Sequence, residues 1–108
     1  MKKLHTAEMD MLFEAMLSLE SVEEFYLFFE DICTIKEQLT MAQRFQVACQ
    51  LDAGKNYNAV IEDTGASSAT ISRVNKCLVY GNGGYALALE RLKEGGKMSY
   101  GCKCDSEK

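Results

Sequence analysis

An all-α fold is what this sequence predicts, and three observations carry the prediction. Ser21-x-x-Glu24, Thr34-x-x-Glu37 and Thr40-x-x-Gln43 each fit the capping box, in which two side chains satisfy exposed amides at a helix start. Glycines at 54, 65, 81 and 95 fall where the apolar-periodic runs stop, and glycine accepts the left-handed conformation after a last helical turn. No segment alternates apolar and polar residues between turn signals, so no strand is expected.

Six helices follow in order, near 6–18, 21–32, 35–39 running on to 53, 57–64, 67–80 and 84–94. The first carries Met9, Met11 and Met16, an adaptable apolar face suited to a core. The second holds Val22, Phe25, Tyr26, Leu27, Phe28, Phe29, Ile32 and Cys33, spread around the whole helical circumference. A helix apolar all round is buried all round, and 108 residues have little mass with which to enclose one. A second copy of the chain solves that problem, so an intertwined homodimer is expected, with a tightly wrapped monomer as the alternative. The third helix stops at Gly54, the fourth at Gly65 and the fifth at Gly81. Tyr80-Gly81-Asn82-Gly83-Gly84-Tyr85 is glycine-rich but lacks the lysine-serine ending of a phosphate loop, and reads as a helix stop and tight turn before the sixth helix.

The expected organisation is one helical domain over 1–94. It comprises a dimerisation core at 1–53, a helix-turn-helix at 56–80, a closing helix at 84–94 and a flexible tail at 95–108. Composition agrees with a single soluble domain: 47% of residues are hydrophobic and 26% charged, within the globular range. The longest apolar run, Phe25–Phe29, is five residues where a membrane span needs about twenty. MKKLHTAEMD has no apolar stretch behind its lysines, so no secretory leader is expected. Five cysteines is an odd count, which speaks against a disulfide framework and for a reducing cytoplasm. Cys33, Cys49 and Cys77 lie in apolar-periodic segments and read as small hydrophobes. Cys102 and Cys104 form a CxC in the tail whose role stays open between metal or redox work and an incidental pair.

No catalytic constellation is visible, so an enzyme is not expected. His5 is the only histidine and has no paired ligand motif, and Glu23–Glu24 and Glu62–Asp63 point to different helix faces. Charge is more informative. Residues 1–39 set three lysines against nine carboxylates, whereas Thr64–Gly84 holds Arg73 and Lys76 with no acid. A locally basic segment suits polyanion binding or a solvated face.

Asn56–Leu78, NYNAVIEDTGASSATISRVNKCL, favours the first, with an ordinary helical hairpin as the alternative. It has the anatomy of a helix-turn-helix: a short helix to Thr64, Gly65 at the corner, and Ser67 capping the next helix. Val60, Ile61, Ala66, Ile71, Val74 and Leu78 would hold the two helices at a fixed angle. Ser67, Ser68, Ala69 and Thr70 are small residues that let a helix N-terminus come close to phosphates or base edges. Ser72, Arg73 and Lys76 extend the polar face, and Tyr57 and Asn58 of the preceding helix would rest on the DNA backbone. Double-stranded DNA is the expected partner. The alternative is a dimeric helical protein-interaction module without specific DNA binding.

Arg44-Phe45-Gln46-Val47, Leu51-x-x-Gly54 and the run Thr64–Arg73 resemble the Trp repressor family. Ala42-Gln43-Arg44, Thr64–Asn75 and Tyr80–Tyr85 place the resemblance in its YerC/YecD-type branch, over roughly residues 6–94. The resemblance implies six helices, an intertwined homodimer and two reading heads on a palindromic operator, acting as a transcriptional repressor. It also implies an amino-acid corepressor between core and reading head, with its ring between two arginines. Those arginines fall on Arg44 and Arg73, and a ligand-contacting threonine falls on Thr34. Guanidinium planes stack on aromatic rings and pair with carboxylates, which gives the arrangement a physical basis. Two departures bear on the ligand. Val74 stands where the Trp repressor has a glycine beside the ligand, and the Gly54–Gly65 loop is one residue shorter than the family pattern. Tryptophan, another amino acid such as histidine, and no ligand at all therefore stay open. No metal is expected.

Overall fold

The structure is a computed structural model that describes residues 5–95; Cys102, Cys104 and the tail from residue 96 lie outside the described residues. Among the described residues there are six helices and no strand: α1 (Ala7–Leu17), α2 (Val22–Ile32), α3 (Ile35–Asp52), α4 (Tyr57–Thr64), α5 (Ser68–Tyr80) and α6 (Gly84–Glu94). The chain divides into two compact units between Gln38 and Leu39, inside α3.

In the N-terminal unit, caps define the helices. Thr6 Oγ1 accepts from the Met9 amide at 3.1 Å to start α1. Ser21 Oγ accepts from the Glu24 amide at 3.2 Å, while the Glu24 carboxylate accepts from the Glu20 amide at 2.8 Å. The return bond therefore lands one residue ahead of the capping residue. At Thr34 both halves of the box form: its hydroxyl accepts from the Glu37 amide at 3.1 Å, and Glu37 accepts from the Thr34 amide at 2.8 Å. Phe29 stacks on Phe25 and meets Phe28 edge-on along α2. Neither α1 nor α2 buries a single residue. Leu17 is 84% exposed, Val22 72% and Leu27 67%. Met11 is exposed too, so the methionine face of α1 is not a core within the described chain.

Thr40 does not start a helix. α3 runs unbroken from Ile35 to Asp52, so the third predicted capping box lies in its interior. A box needs amides without intrahelical acceptors, and within a continuing helix those amides are already bonded to carbonyls four residues back.

The C-terminal unit holds the core. Val47, Ala48, Val60, Ala66, Ile71 and Val74 form one buried cluster, with Leu51, Ile61, Leu78 and Tyr85 packed against it. The six residues expected to fix the helical corner all take part. Four consecutive α3 residues, Val47–Gln50, are buried, so this stretch is enclosed on every side. Complete burial of Ile71 alone is worth about 1.5–3 kcal/mol. Phe45 stacks on Tyr85 at 6.4 Å, and Leu89 buries the inner face of α6. Lys93 pairs with Asp52 at 3.0 Å on the surface, a contact worth ~0–1 kcal/mol.

Among the described residues Gln50 of α3 is the buried polar side chain, and its Oε1 finds no hydrogen-bond partner. A buried orphan acceptor costs about 1–3 kcal/mol. Gln50→Met keeps length and volume while removing the acceptor, so urea melts at fixed protomer concentration should show stability raised by about 1 kcal/mol. A loss of stability would mean that the amide is satisfied in the assembled protein.

The glycines expected to end helices do so in different ways. Gly54 and Gly65 are left-handed, with φ of 91° and 73°. Gly81 and Gly95 have negative φ and are not left-handed caps. At Gly81 the constraint is space: a Cβ there would overlap the Cys77 carbonyl oxygen. Cys77 itself is exposed, unlike buried Cys49 and half-buried Cys33, and so is not a core residue of this chain. At Gly65 nothing lies within 4 Å of an added Cβ, so a substitution meets only backbone strain. Gly65→Ala should therefore cost about 1–2 kcal/mol in thermal or urea unfolding, with Gly65→Asn losing less. Equal losses for both would place the constraint elsewhere.

Candidate nucleic-acid interface

The α4–turn–α5 segment is built by local hydrogen bonds. Asn56 Oδ1 accepts from the Ala59 amide at 2.9 Å and starts α4. At its other end the Gly65 amide bonds the Ile61 carbonyl at 2.9 Å, after which the left-handed Gly65 turns the chain. Thr64 ties both sides of the corner: its hydroxyl donates to the Val60 carbonyl at 2.7 Å and accepts from the Ala66 amide at 3.1 Å. Ala66 is buried at the bend. Ser67 then caps α5, its Oγ accepting from the Thr70 amide and donating to the Thr70 hydroxyl.

α5 has two opposed faces. Ile71 and Val74 are buried in the core and Leu78 packs against it. Ser68, Ala69, Ser72, Arg73 and Lys76 are exposed. Residues 68, 72 and 76 are successive steps of four, as are 69 and 73, so they form one stripe along the helix. Ser67 is exposed at its leading end and Thr70 half-buried. The first turn presents the Ser68 and Ala69 amides, which have no intrahelical acceptor, and the partial positive charge of a helix N-terminus. Tyr57 and Asn58 are exposed at the start of α4, the helix packed on α5. All nine residues expected to contact DNA thus lie on the exterior of this hairpin, with Thr70 the most enclosed.

The three residues expected to hold a ligand are distributed differently. Arg44 is exposed on α3 and Arg73 is exposed on α5. Thr34 belongs to the N-terminal unit, where its hydroxyl is engaged in capping α3. Val74, expected to narrow the ligand space, is only 2% exposed and sits within the core cluster. Among the described residues no group of three or more His, Cys, Asp or Glu side chains could hold a metal ion. No described helix is long and apolar enough to cross a membrane.

One residue that the sequence reading placed elsewhere belongs to this region. Gln43, taken as half of the third capping box, donates from its Nε2 to the Thr64 carbonyl at 3.2 Å. The signal was present as a polar residue in a helix that later becomes fully buried, but the local motif claimed it first.

Six helices with a helix-turn-helix corner carried by a buried core define the fold class. The chain belongs to the Trp repressor family: the family described as "Trp repressor protein" matches residues 7–93. It is 52% identical over 92 residues to the uncharacterised protein YerC of Bacillus subtilis (strain 168), covering 85% of this chain and 88% of that protein. Solved structures agree. A TrpR-like protein from Eubacterium eligens ATCC 27750 superposes with a TM-score of 0.83 at 52% identity, covering 86% of this chain and 96% of that one. A putative Trp repressor from Staphylococcus aureus gives 0.82 at 44% identity, covering 85% and 92%. The membership accords with the YerC/YecD-type branch.

Proposed function

We propose that this protein is a sequence-specific DNA-binding transcriptional regulator, a repressor, that reads a palindromic operator as a homodimer in the cytoplasm. The observation that carries the reading is the two-faced α5, core-locked at Ile71 and Val74 and exposed at Ser68, Ser72, Arg73 and Lys76. A helix held rigidly by one face and small and polar along the other suits entry into a major groove. Ser67, Ser68, Ala69 and Thr70 lead, offering hydroxyls and first-turn amides to base edges and phosphates. Arg73 and Lys76 contact phosphates, while Tyr57 and Asn58 set register on the backbone.

The homodimer reading is supported by α1 and α2, which leave Leu17, Val22, Tyr26 and Leu27 more than half exposed. Large apolar side chains left this exposed suit an interaction site, and a two-fold partner would present two reading helices to half-sites about 34 Å apart. An amino-acid corepressor would meet Arg44 and Arg73, whose guanidinium groups suit a ring or a carboxylate. Val74 carries a branched side chain where the Trp repressor has a glycine, which favours an amino acid other than tryptophan, such as histidine, or no ligand.

Selection of bound fragments from total genomic DNA by the purified protein, with and without pooled amino acids, tests the proposal. Enrichment of a few palindromic sites is the expected result, and any dependence on the pool reports the ligand. No enrichment in either condition would favour the protein-interaction module instead.

A further inference from the structure

The geometry points to Gln43 as a positioning residue that clamps the turn before α5 to α3 and so sets the angle of the reading helix. This inference rests on the DNA-binding reading for its functional consequence, though the clamp itself is a property of the free protein.

Three observations carry it. α4 ends at Thr64 because Gly65 turns left-handed, so the Thr64 carbonyl has no intrahelical donor. Gln43 Nε2 supplies one at 3.2 Å, from a half-buried position 21 residues earlier in the chain. An acceptor carbonyl can be met only by the amide's nitrogen, so the orientation of the Gln43 side chain is determined. Val47 and Ala48 of α3 also pack in the same cluster as Val60, Ala66, Ile71 and Val74. Apolar packing is non-directional, whereas a hydrogen bond weakens steeply as its angle departs from linearity. The bond therefore adds directional control to a contact that burial alone leaves free to rotate by small amounts. Its acceptor also sits at the centre of the corner. Thr64 bonds Val60 and Ala66 through its own hydroxyl, and Ser67, three residues on, caps α5. A shift at Thr64 is passed directly to the leading end of the reading helix.

The test uses the full-length protein with Gln43→Met, which keeps length without a donor, and Gln43→Glu, whose carboxylate cannot donate. Two readouts are taken well below the unfolding temperature. The first, without DNA, is the amide chemical shift of Gly65, Ala66 and Ser67. Both variants should move these shifts at pH 7.5. Gln43→Glu should return them toward wild type as pH falls through the usual carboxyl range near about 4.3, where a protonated carboxyl can donate again. Wild type serves as the control at each pH.

The second readout is the ratio of affinity for a selected site to affinity for random duplex. Both variants should lower that ratio by roughly fivefold to tenfold at pH 7.5, the effect of losing one hydrogen bond. A purely structural role would lower the unfolding temperature and leave the ratio unchanged, which would overturn the inference. Unmoved shifts in both variants would overturn it as well, whatever happens on DNA. If wild type selects no sequence, that failure belongs to the DNA-binding reading. The shifts and their recovery with pH still decide the clamp.

Discussion

Ser68→Glu is expected to lower affinity for a selected operator by at least about a hundredfold, with helical content and oligomeric state unchanged. Ser68 is exposed, opens α5 and takes no part in the core. A carboxylate at the first helical position complements the positive end of the helix dipole, which stabilises by about 0.3–1 kcal/mol. Loss of binding can therefore not be assigned to loss of fold. Against DNA the same carboxylate faces phosphate charge, where two like charges 4 Å apart repel by ~4 kcal/mol at an effective dielectric of 20. Two-thirds of that, about 2.7 kcal/mol, is already a hundredfold in affinity. Fluorescence anisotropy on the enriched site, paired with thermal melts by circular dichroism, reads both quantities. Unchanged affinity in a folded Ser68→Glu protein would remove α5 from the groove.

The second large effect is expected at α2. Leu27→Glu and Leu27→Lys should each weaken self-association by at least about a hundredfold, read by analytical ultracentrifugation across a dilution series. Leu27 is two-thirds exposed in the single chain, so a charge there costs the isolated protomer little. Buried against a second copy, an unpaired charge costs several kcal/mol. Using both signs separates that desolvation from simple repulsion, because the acidic N-terminal segment would welcome a lysine and oppose a glutamate. Dimers of unaltered affinity in both variants would place the interface away from α2. A loss confined to the glutamate variant would point to charge repulsion between acidic segments rather than burial of Leu27.

These two predictions rest on different kinds of legibility. The α5 face was readable because a helix imposes a fixed rotation per residue. Once Ile71, Val74 and Leu78 are assigned inward, the exposure of Ser68, Ser72 and Arg73 follows. Cys77, read as a small hydrophobe in an apolar-periodic segment, is exposed. Apolar character alone could not separate it from Leu78. In α2 the pattern announced a helix needing cover on every side, and the described chain leaves its apolar surface largely open. For the ligand, the resemblance named Thr34, Arg44 and Arg73; Thr34 Oγ1 accepts from the Glu37 amide and Val74 lies in the core cluster.

The helix starts at Ser21 and Thr34, the stops at Gly54 and Gly65, and the corner of the α4–α5 hairpin were determined by the sequence alone. Each is a bond or a backbone angle set within about four residues, so local residue types suffice to decide it. The unbroken run of α3 through Thr40, the spatial rather than conformational constraint at Gly81, and the use of Gln43 were decided only by tertiary structure. At Thr40 and Gln43 the local pattern was compatible with a cap. What excluded it was that the preceding residues were already helical and that a carbonyl 21 residues later in the chain needed a donor. A competition between near and distant partners is settled by which groups the fold leaves unpaired. That information exists only once the chain has packed.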